Sequence, residues 1–276
     1  MIIGHDRLIH DLKTLADHGE MSHSYLFWGP ERVGKKTVAL AFANYLEKKV
    51  FEIPSGILGD NFLILPTGER SIGIDRIREI KNFLWQKPNR SSHRTVVIDD
   101  AQLLTNEAQD ALLKISENPP ASGLIILVVR SAELLTQTLS SRFQKIYFSS
   151  VPREEIKAWL IREHKLSPSR AEELAGDSLN QPGRAIALLS NKAHNATEES
   201  AKKFLRLSRG ERRDFLKDLV LHDTFNLEEF LDALIIQILR TKNFDLWHRV
   251  LALRRDASYL NVNPRLQLET LLGSRE

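Results

Sequence analysis

The sequence predicts an α/β domain built on a five-stranded parallel sheet with helices on both faces, followed by all-helical segments. Three observations support this prediction. Five short runs rich in β-branched and aromatic residues alternate with amphipathic segments over residues 1–148. A glycine-rich turn follows the first of these runs and opens a helix. After Phe148 the strand-like runs stop, and only helical periodicity continues.

The predicted elements of the sheet domain alternate along the chain. An opening helix is indicated by Leu8, Leu12 and Leu15 at helical spacing. Asp75 is the predicted N-cap of the third helix, and Thr105 is the predicted N-cap of the fourth. The predicted strands are residues 24–28, 61–65, 94–99, 124–129 and 145–148, and the predicted helices between them are residues 37–46, 74–84, 105–115 and 134–139.

The change of periodicity divides the chain into three predicted parts. Residues 1–148 form the sheet domain, and residues 149–194 and 195–276 form two helical parts. The first helical part begins at Pro152 with Glu154 and Glu155 behind it, which is typical of a helix start.

Composition excludes several classes of function. The chain has 276 residues and no cysteine, so disulfides, cysteine-based zinc sites and thiol catalysis are ruled out. The net charge of +3 permits a nucleic-acid partner without requiring one. The N-terminus lacks a signal-peptide pattern, and the longest apolar run, residues 124–129, is too short to span a membrane. We therefore expect a soluble, cytoplasmic protein.

The glycine-rich turn has the layout of a P-loop. A strand, a glycine-rich turn, a lysine and a helix follow one another, so that backbone N–H groups, the helix N-terminus and Lys35 face a phosphate. The motif calls for Ser or Thr directly after the lysine to hold Mg²⁺, but Lys36 stands there and Thr37 comes one place late. The alternative is a glycine-rich turn with a solvated lysine. The candidate phosphate-binding residues are Gly29, Pro30, Val33, Gly34, Lys35, Lys36 and Thr37.

Two acids follow the third predicted strand. An apolar strand ending in acids is typical of a Walker B motif, in which Asp99 would orient Mg²⁺ and Asp100 would polarise the attacking water. An active ATPase usually has the longer Glu at the second position. The alternative is a strand end with solvated acids. Asp99 and, more weakly, Thr37 are the candidate metal ligands.

The run from Arg94 to Pro120 resembles the AAA+ clamp-loader subunits of bacterial DNA polymerase III. Gly4-His5 and residues 23–27 are similar to the family's entry to the P-loop, and residues 72–84 are similar to its segment after the second strand. Residues 140–143 are similar to the serine-arginine-cysteine motif, with Phe143 in place of cysteine. Residues 181–185 are similar to the sensor 2 motif, and residues 261–266 to the end of the family's helical collar.

The resemblance implies roles for single residues. Lys35 would contact the β- and γ-phosphates of ATP, Arg142 would act as an arginine finger on a neighbouring subunit's ATP, and Arg184 would be the sensor 2 residue. From the residues alone, Arg142 is better explained as a favourable cation near a helix C-terminus. For Arg184, an exposed arginine at a helix N-terminus is an equal alternative.

Departures from the family pattern leave the activity open. Lys36 replaces the magnesium-binding hydroxyl, Val129 stands at the sensor 1 position, and Asp100 stands in for Glu. The zinc module that members of this family often carry is absent, so no zinc is expected. One interpretation is a mainly structural subunit that binds ATP, with or without Mg²⁺, and does not hydrolyse it. The other is an active ATPase of a loader or of a related machine, such as a branch-migration helicase.

The resemblance implies that residues 149–194 form a helical lid and residues 195–276 a helical collar for oligomerisation. It also implies partners, which would be other clamp-loader subunits of the gamma/tau-like and delta-like kinds in a hetero-oligomer, the sliding clamp indirectly, and primed DNA, with no membrane. The segment from Arg70 to Arg94 carries seven basic residues against Asp75 and Glu79, and its helix over residues 74–86 could follow a DNA backbone. The alternative is a solvated helix face.

Overall fold

The computed structural model describes residues 2–65, 71–190, 192–220, 225–241 and 246–259, together with Leu268 and Leu271. The chain divides into two compact units, Met1–Ile186 and Ala187–Glu276. The predicted three-part division at residues 148 and 194 stays a prediction. Among the described residues, no helix is both long and apolar enough to cross a membrane.

The first unit contains a five-stranded sheet in which every neighbouring pair of strands is parallel. Its spatial order is β2-β3-β4-β1-β5, so β4 lies between β3 and β1 at the centre. This confirms the predicted fold class. The strands are β1 (Ser24–Trp28), β2 (Asn61–Ile64), β3 (Arg94–Ile98), β4 (Gly123–Val129) and β5 (Gln144–Tyr147).

Helices connect the strands and continue along the chain after the last strand. The helices up to residue 190 are α1 (Asp6–His18), α2 (Lys35–Lys48), α3 (Ile74–Leu84), α4 (Asn106–Glu117), α5 (Gln137–Ser140), α6 (Arg153–His164), α7 (Pro168–Asp177) and α8 (Pro182–Ser190). Those that follow are α9 (Lys192–Arg206), α10 (Arg209–Val220), α11 (Leu227–Thr241) and α12 (Trp247–Tyr259).

The three central strands, β3, β4 and β1, are buried on both faces because most of their successive positions are apolar. Alternate side chains of each strand point to opposite faces. One face, which includes Leu26, Ile98 and Leu127, packs with buried residues of α3 and α4. The other face, which includes Phe27 and Ile126, packs with buried residues of α1 and α2. The first unit is therefore a three-layer α/β/α structure, with helices on both faces as predicted.

Helix starts test the predicted caps. The Thr105 hydroxyl accepts a hydrogen bond from the backbone N–H of Ala108 at 3.2 Å, so its predicted cap is confirmed. The predicted Asp75 cap is wrong, because α3 begins at Ile74 with Gly73 as its extended N-cap. Asp75 lies in the first turn instead, where negative charge complements the helix dipole.

The predicted helix over residues 134–139 is broken in two. A 3₁₀ turn covers Ala132–Leu134, Leu135 is extended, and α5 begins at Gln137. The break lies beside Gln109 of α4, whose side-chain oxygen accepts a hydrogen bond from the backbone N–H of Thr136 at 2.8 Å. This tertiary contact takes the place of a helical hydrogen bond.

The second unit is helical in its described part. Helix α11 contributes a run of buried residues from Phe230 to Ile238 and packs against α9 and α12. Asp232 on α11 is buried and forms an ion pair with Arg254 of α12 at 2.7 Å. The segment over residues 261–266 that resembles the end of a collar lies outside the described residues.

Candidate functional site

Three polar segments follow three adjacent strands at the same edge of the sheet. The glycine-rich loop follows β1, Asp99 and Asp100 follow β3, and Arg130 follows β4. Because β3, β4 and β1 are neighbours and parallel, their carboxyl ends lie side by side. Ligands of open parallel sheets bind at this edge. The candidate site therefore lies where the sequence predicts it, at the carboxyl ends of the parallel strands.

The backbone of the loop depends on Gly29. This residue has φ 138°, and a Cβ atom there would lie 2.2 Å from the carbonyl oxygen of Phe148. The loop ends at Gly34, which has φ 108° and precedes the first residue of α2. A side chain at position 29 would therefore separate the loop from the chain leaving β5.

His5 supports the loop from the N-terminal segment. Its Nε2 donates a hydrogen bond to the carbonyl oxygen of Val33 at 2.9 Å, and its ring meets the ring of Phe148 at 4.9 Å between centroids. The sequence predicted that Gly4-His5 resembles the family pattern, but it gave no role for the imidazole of His5. In the structure this imidazole holds the glycine-rich loop in place.

Lys35 lies inside the loop. Its Nζ donates hydrogen bonds to the carbonyl oxygens of Gly29, at 2.7 Å, and of Pro30. Only 6% of its surface is exposed. Burial lowers the pKa of Lys35 to about 8, against the opposing effect of the carboxylates of Glu31, Asp100 and Asp99. The ammonium is thus enclosed by the loop, and the alternative of a solvated lysine is wrong. Its contact with a phosphate stays a prediction.

Lys36 is in contact with the first of the two acids. Its Nζ lies 3.1 Å from Oδ2 of Asp99, and the side chains are 41% and 16% exposed. The residue that replaces the expected hydroxyl therefore pairs with the carboxylate expected to serve the metal. Thr37 is one residue further into α2. Among the described residues, no group of three or more histidine, aspartate or glutamate side chains could hold a metal ion.

Asp100 has a strained backbone and a fixed side chain. Its φ of 49° lies in the left-handed region, and its Oδ1 accepts a hydrogen bond from the side-chain amide of Gln102 at 2.8 Å. This bond holds the carboxylate towards its own chain segment. Its predicted role in polarising water stays a prediction.

The end of β4 carries a residue that sequence reasoning missed. Val129 is buried in the apolar layer with α3 and α4, so it adds no polar group to the site. The next residue, Arg130, forms an ion pair with Glu31 of the loop, and its carbonyl oxygen accepts a hydrogen bond from the N–H of Gly29 at 3.3 Å. Its position just after a buried parallel strand was the available signal.

Arg184 lies near the loop but has a partner of its own. The N–H of Gly183, at the start of α8, donates a hydrogen bond to the carbonyl oxygen of Arg32 at 2.8 Å. Arg184 is buried, and its Nε donates to the carbonyl oxygen of Asp177 at 3.0 Å. It is therefore not the exposed arginine of the alternative interpretation. Contact with a phosphate stays a prediction.

Arg142 is exposed on the surface of the first unit. It lies between α5 and β5, with 54% of its side chain exposed, and its contact with Glu117 of α4 spans 3.4 Å. A long ion pair between exposed groups contributes little to stability. The guanidinium is thus accessible to another molecule, which a finger acting on a neighbouring subunit requires.

The basic segment before β3 is less uniformly exposed than its sequence suggests. Arg76 pairs with Glu79, and Arg78 pairs with Asp75, each at 2.6 Å. Arg94 is buried against Asp60 and over the ring of Phe83, so it cannot contact a DNA backbone. Arg70 lies outside the described residues. Contact of helix α3 with DNA stays a prediction.

A phosphate loop after β1, acids after β3 and the strand order β2-β3-β4-β1-β5 define a P-loop protein with the AAA+ fold. A family model described as "DNA polymerase III, delta subunit" matches residues 4–152, which is more than half of the chain. The chain belongs to this family.

Curated relatives agree with this assignment. The DNA polymerase III subunit delta′ of Escherichia coli (strain K12) is 32% identical over 145 residues, covering 52% of this chain and 43% of the relative. The DNA polymerase III subunit gamma/tau of Mycobacterium bovis is 28% identical over 174 residues, covering 58% of this chain and 30% of the relative. The matched region thus spans less than half of either relative.

Solved structures show the same fold. A DNA polymerase III gamma subunit-related protein of Thermotoga maritima superimposes with a TM-score of 0.57, at 22% identity, over 95% of this chain and 97% of its own. The RuvB Holliday junction branch migration motor of the same organism gives a TM-score of 0.52, at 18% identity, over 89% and 78%. At these identities the likeness is evidence of fold only.

Proposed function

We propose that this chain is a delta-prime-like subunit of a bacterial DNA polymerase III clamp loader, which places a sliding clamp on primed DNA during replication. Membership of the delta subunit family and the delta′ and gamma/tau relatives support this role. Its direct partners are gamma/tau-like and delta-like subunits, and it meets the clamp through the assembly. Its own nucleotide site is mainly structural.

The observation that carries the structural role is the ion pair between Lys36 and Asp99 at 3.1 Å. P-loop NTPases hold Mg²⁺ between the P-loop hydroxyl and the Walker B aspartate, and the ion neutralises charge that develops during phosphoryl transfer. In this chain an ammonium replaces the hydroxyl and pairs with the aspartate. ATP is therefore bound by the loop and Lys35, and it is not turned over efficiently.

Arg142 is the residue through which this subunit takes part in hydrolysis. Its exposure and its long contact with Glu117 leave it able to reach the ATP of a neighbouring subunit. A cation placed at the γ-phosphate from another molecule stabilises the charge of the transition state and is worth about 10³–10⁵ in rate. The chain thus lends a catalytic cation and keeps its own site as a phosphate cradle.

The second candidate function is an active ATPase, and Lys35 inside the loop favours it. The pairing of Lys36 with Asp99 disfavours it, because no hydroxyl or free carboxylate is left at that position for the metal. The two functions differ in where hydrolysis requires this chain, either at its own P-loop or at Arg142.

The test uses the loader assembled from this chain and its partner subunits. Arg142→Ala is expected to slow hydrolysis by about 10³-fold or more at the one site that takes its finger from this chain, so the total ATP turnover of the assembled loader falls by that site's share. The matched control is Arg170→Ala, since Arg170 has a 53% exposed side chain in a surface pair with Glu173. Unchanged turnover in the Arg142 variant contradicts the finger. Robust turnover by this chain alone, abolished by Lys35→Ala, supports the ATPase instead.

A further inference from the structure

The residues at the expected metal position do not fit Mg²⁺. The ion requires near-octahedral oxygen ligands at about 2.0–2.1 Å, and it usually takes a carboxylate together with substrate phosphates. Here the Asp99 carboxylate is within 3.1 Å of the Lys36 ammonium, which has only hydrogen-bond donors. A divalent cation at this carboxylate would have to displace the ammonium or be repelled by it.

The ammonium of Lys36 has the properties of a substitute for the metal. It lies on the first turn of α2, directly after the lysine inside the loop, at the position from which P-loop proteins reach the metal. Its side chain is 41% exposed, so it is partly accessible from solvent. An ammonium has three donors, and one on Asp99 leaves others for a phosphate oxygen.

The neighbouring charges agree with metal-free binding. Arg130 adds a third cation through its ion pair with Glu31 of the loop. Lys36 and Arg130 are each paired with a carboxylate, whereas Lys35 is held by the carbonyl oxygens of Gly29 and Pro30. A triphosphate entering the site would meet three cationic groups that the chain already holds in place.

We propose that Lys36 takes the place of the divalent cation, so that this site binds a nucleoside triphosphate as the metal-free anion, with Lys36 between Asp99 and the phosphates. This inference rests on the nucleotide binding of the proposed function and specifies its form. In solution Mg²⁺ and ATP associate. Excess Mg²⁺ therefore competes with this site for the free nucleotide, whereas an ordinary P-loop requires Mg²⁺ for tight binding.

The test is a titration of the full chain with a fluorescent ribose-labelled ATP, once with EDTA and once with excess Mg²⁺. For the natural sequence we expect tighter binding in EDTA, with the apparent affinity falling about twofold or more when Mg²⁺ is added. Equal or tighter binding in Mg²⁺ overturns the proposal. This comparison needs no variant, so a folding defect cannot obscure it.

Two substitutions of Lys36 distinguish the effect of its charge from the effect of a bound metal ion. Lys36→Thr restores the hydroxyl and frees Asp99, so its binding is expected to become at least tenfold tighter with Mg²⁺ than with EDTA. Lys36→Met removes the charge without adding a ligand and is expected to weaken binding in both conditions. Equal behaviour of the two variants overturns the proposal. So does a lack of nucleotide binding by the natural sequence, but the Arg142 test of the loader role is then unaffected.

Discussion

Lys35 and Arg142 are the two cations on which the proposed function depends, and their surroundings are opposite. Lys35 is buried in the loop, donates to two backbone carbonyl oxygens and has a pKa lowered by burial. Arg142 is more than half exposed and has a long contact with one exposed carboxylate. Burying the charge of Lys35 costs folding free energy as long as no ligand balances that charge. The exposed charge of Arg142 costs the fold of its own chain little.

The largest effect on stability is expected at the backbone that holds Lys35. Gly29→Ala places a Cβ atom 2.2 Å from the Phe148 carbonyl oxygen at a φ that alanine rarely adopts. We expect a loss of about 3–5 kcal/mol in the free energy of unfolding, because both the loop and the end of β5 must move. Hydrogen exchange of the β1 amides measures this loss locally.

Gly19→Ala is the matched control for this substitution. Gly19 ends α1 with φ 72°, and nothing lies within 4 Å of the position of an added Cβ. It therefore has the left-handed strain without the collision, and a loss of about 1 kcal/mol is expected. Equal losses in the two variants would show that backbone strain alone, and not the approach of Phe148, makes Gly29 necessary.

The next effect concerns the charge of Lys35 and depends on pH. The folded pKa of about 8 lies below the unfolded value, so the unfolded chain holds more protons between about pH 8 and 10.4. Raising the pH through this window therefore favours the folded state. The stability of the natural sequence relative to Lys35→Met is expected to rise by about 2–3 kcal/mol between pH 7 and 10.

Urea denaturation at several pH values, followed by circular dichroism, measures this difference. Lys48→Met serves as the control, because Lys48 is exposed at the other end of α2 and its removal should give a nearly constant difference. A constant difference for Lys35→Met as well would mean that the ammonium of Lys35 is hydrated. Its hydrogen bond to the carbonyl oxygen of Gly29 would then be absent when no ligand is bound.

The sequence was sufficient for those features that depend on local pattern. The strands followed from apolar runs, the loop from its glycines between a strand and a helix, and the position of the site from the ends of parallel strands. Pairings between distant residues were not predictable. Lys36 meets Asp99, Arg130 meets Glu31, and Arg94 meets Asp60 across the folded unit. Periodicity says nothing about which charged side chains meet, so Arg94 was wrongly counted with an exposed basic face.

The smallest effect on stability is expected at Arg142. Its ion pair with Glu117 is exposed and long, so Arg142→Ala and Glu117→Ala are each expected to change the free energy of unfolding by less than about 0.5 kcal/mol. Arg94→Ala is the contrasting control. Arg94 is buried and donates to the carbonyl oxygens of Lys87 and Gly59 beside Asp60, so its removal should cost about 3 kcal/mol or more.

Urea denaturation of the three variants under one condition decides whether the comparison between the cations holds. A loss above about 1 kcal/mol in Arg142→Ala would show that the arginine is part of the fold of its own chain. A lower turnover of the assembled loader could then be explained by a damaged subunit. A negligible loss, together with lower turnover in the loader, leaves the action of Arg142 on another subunit as the remaining explanation, because the fold of this chain is unchanged.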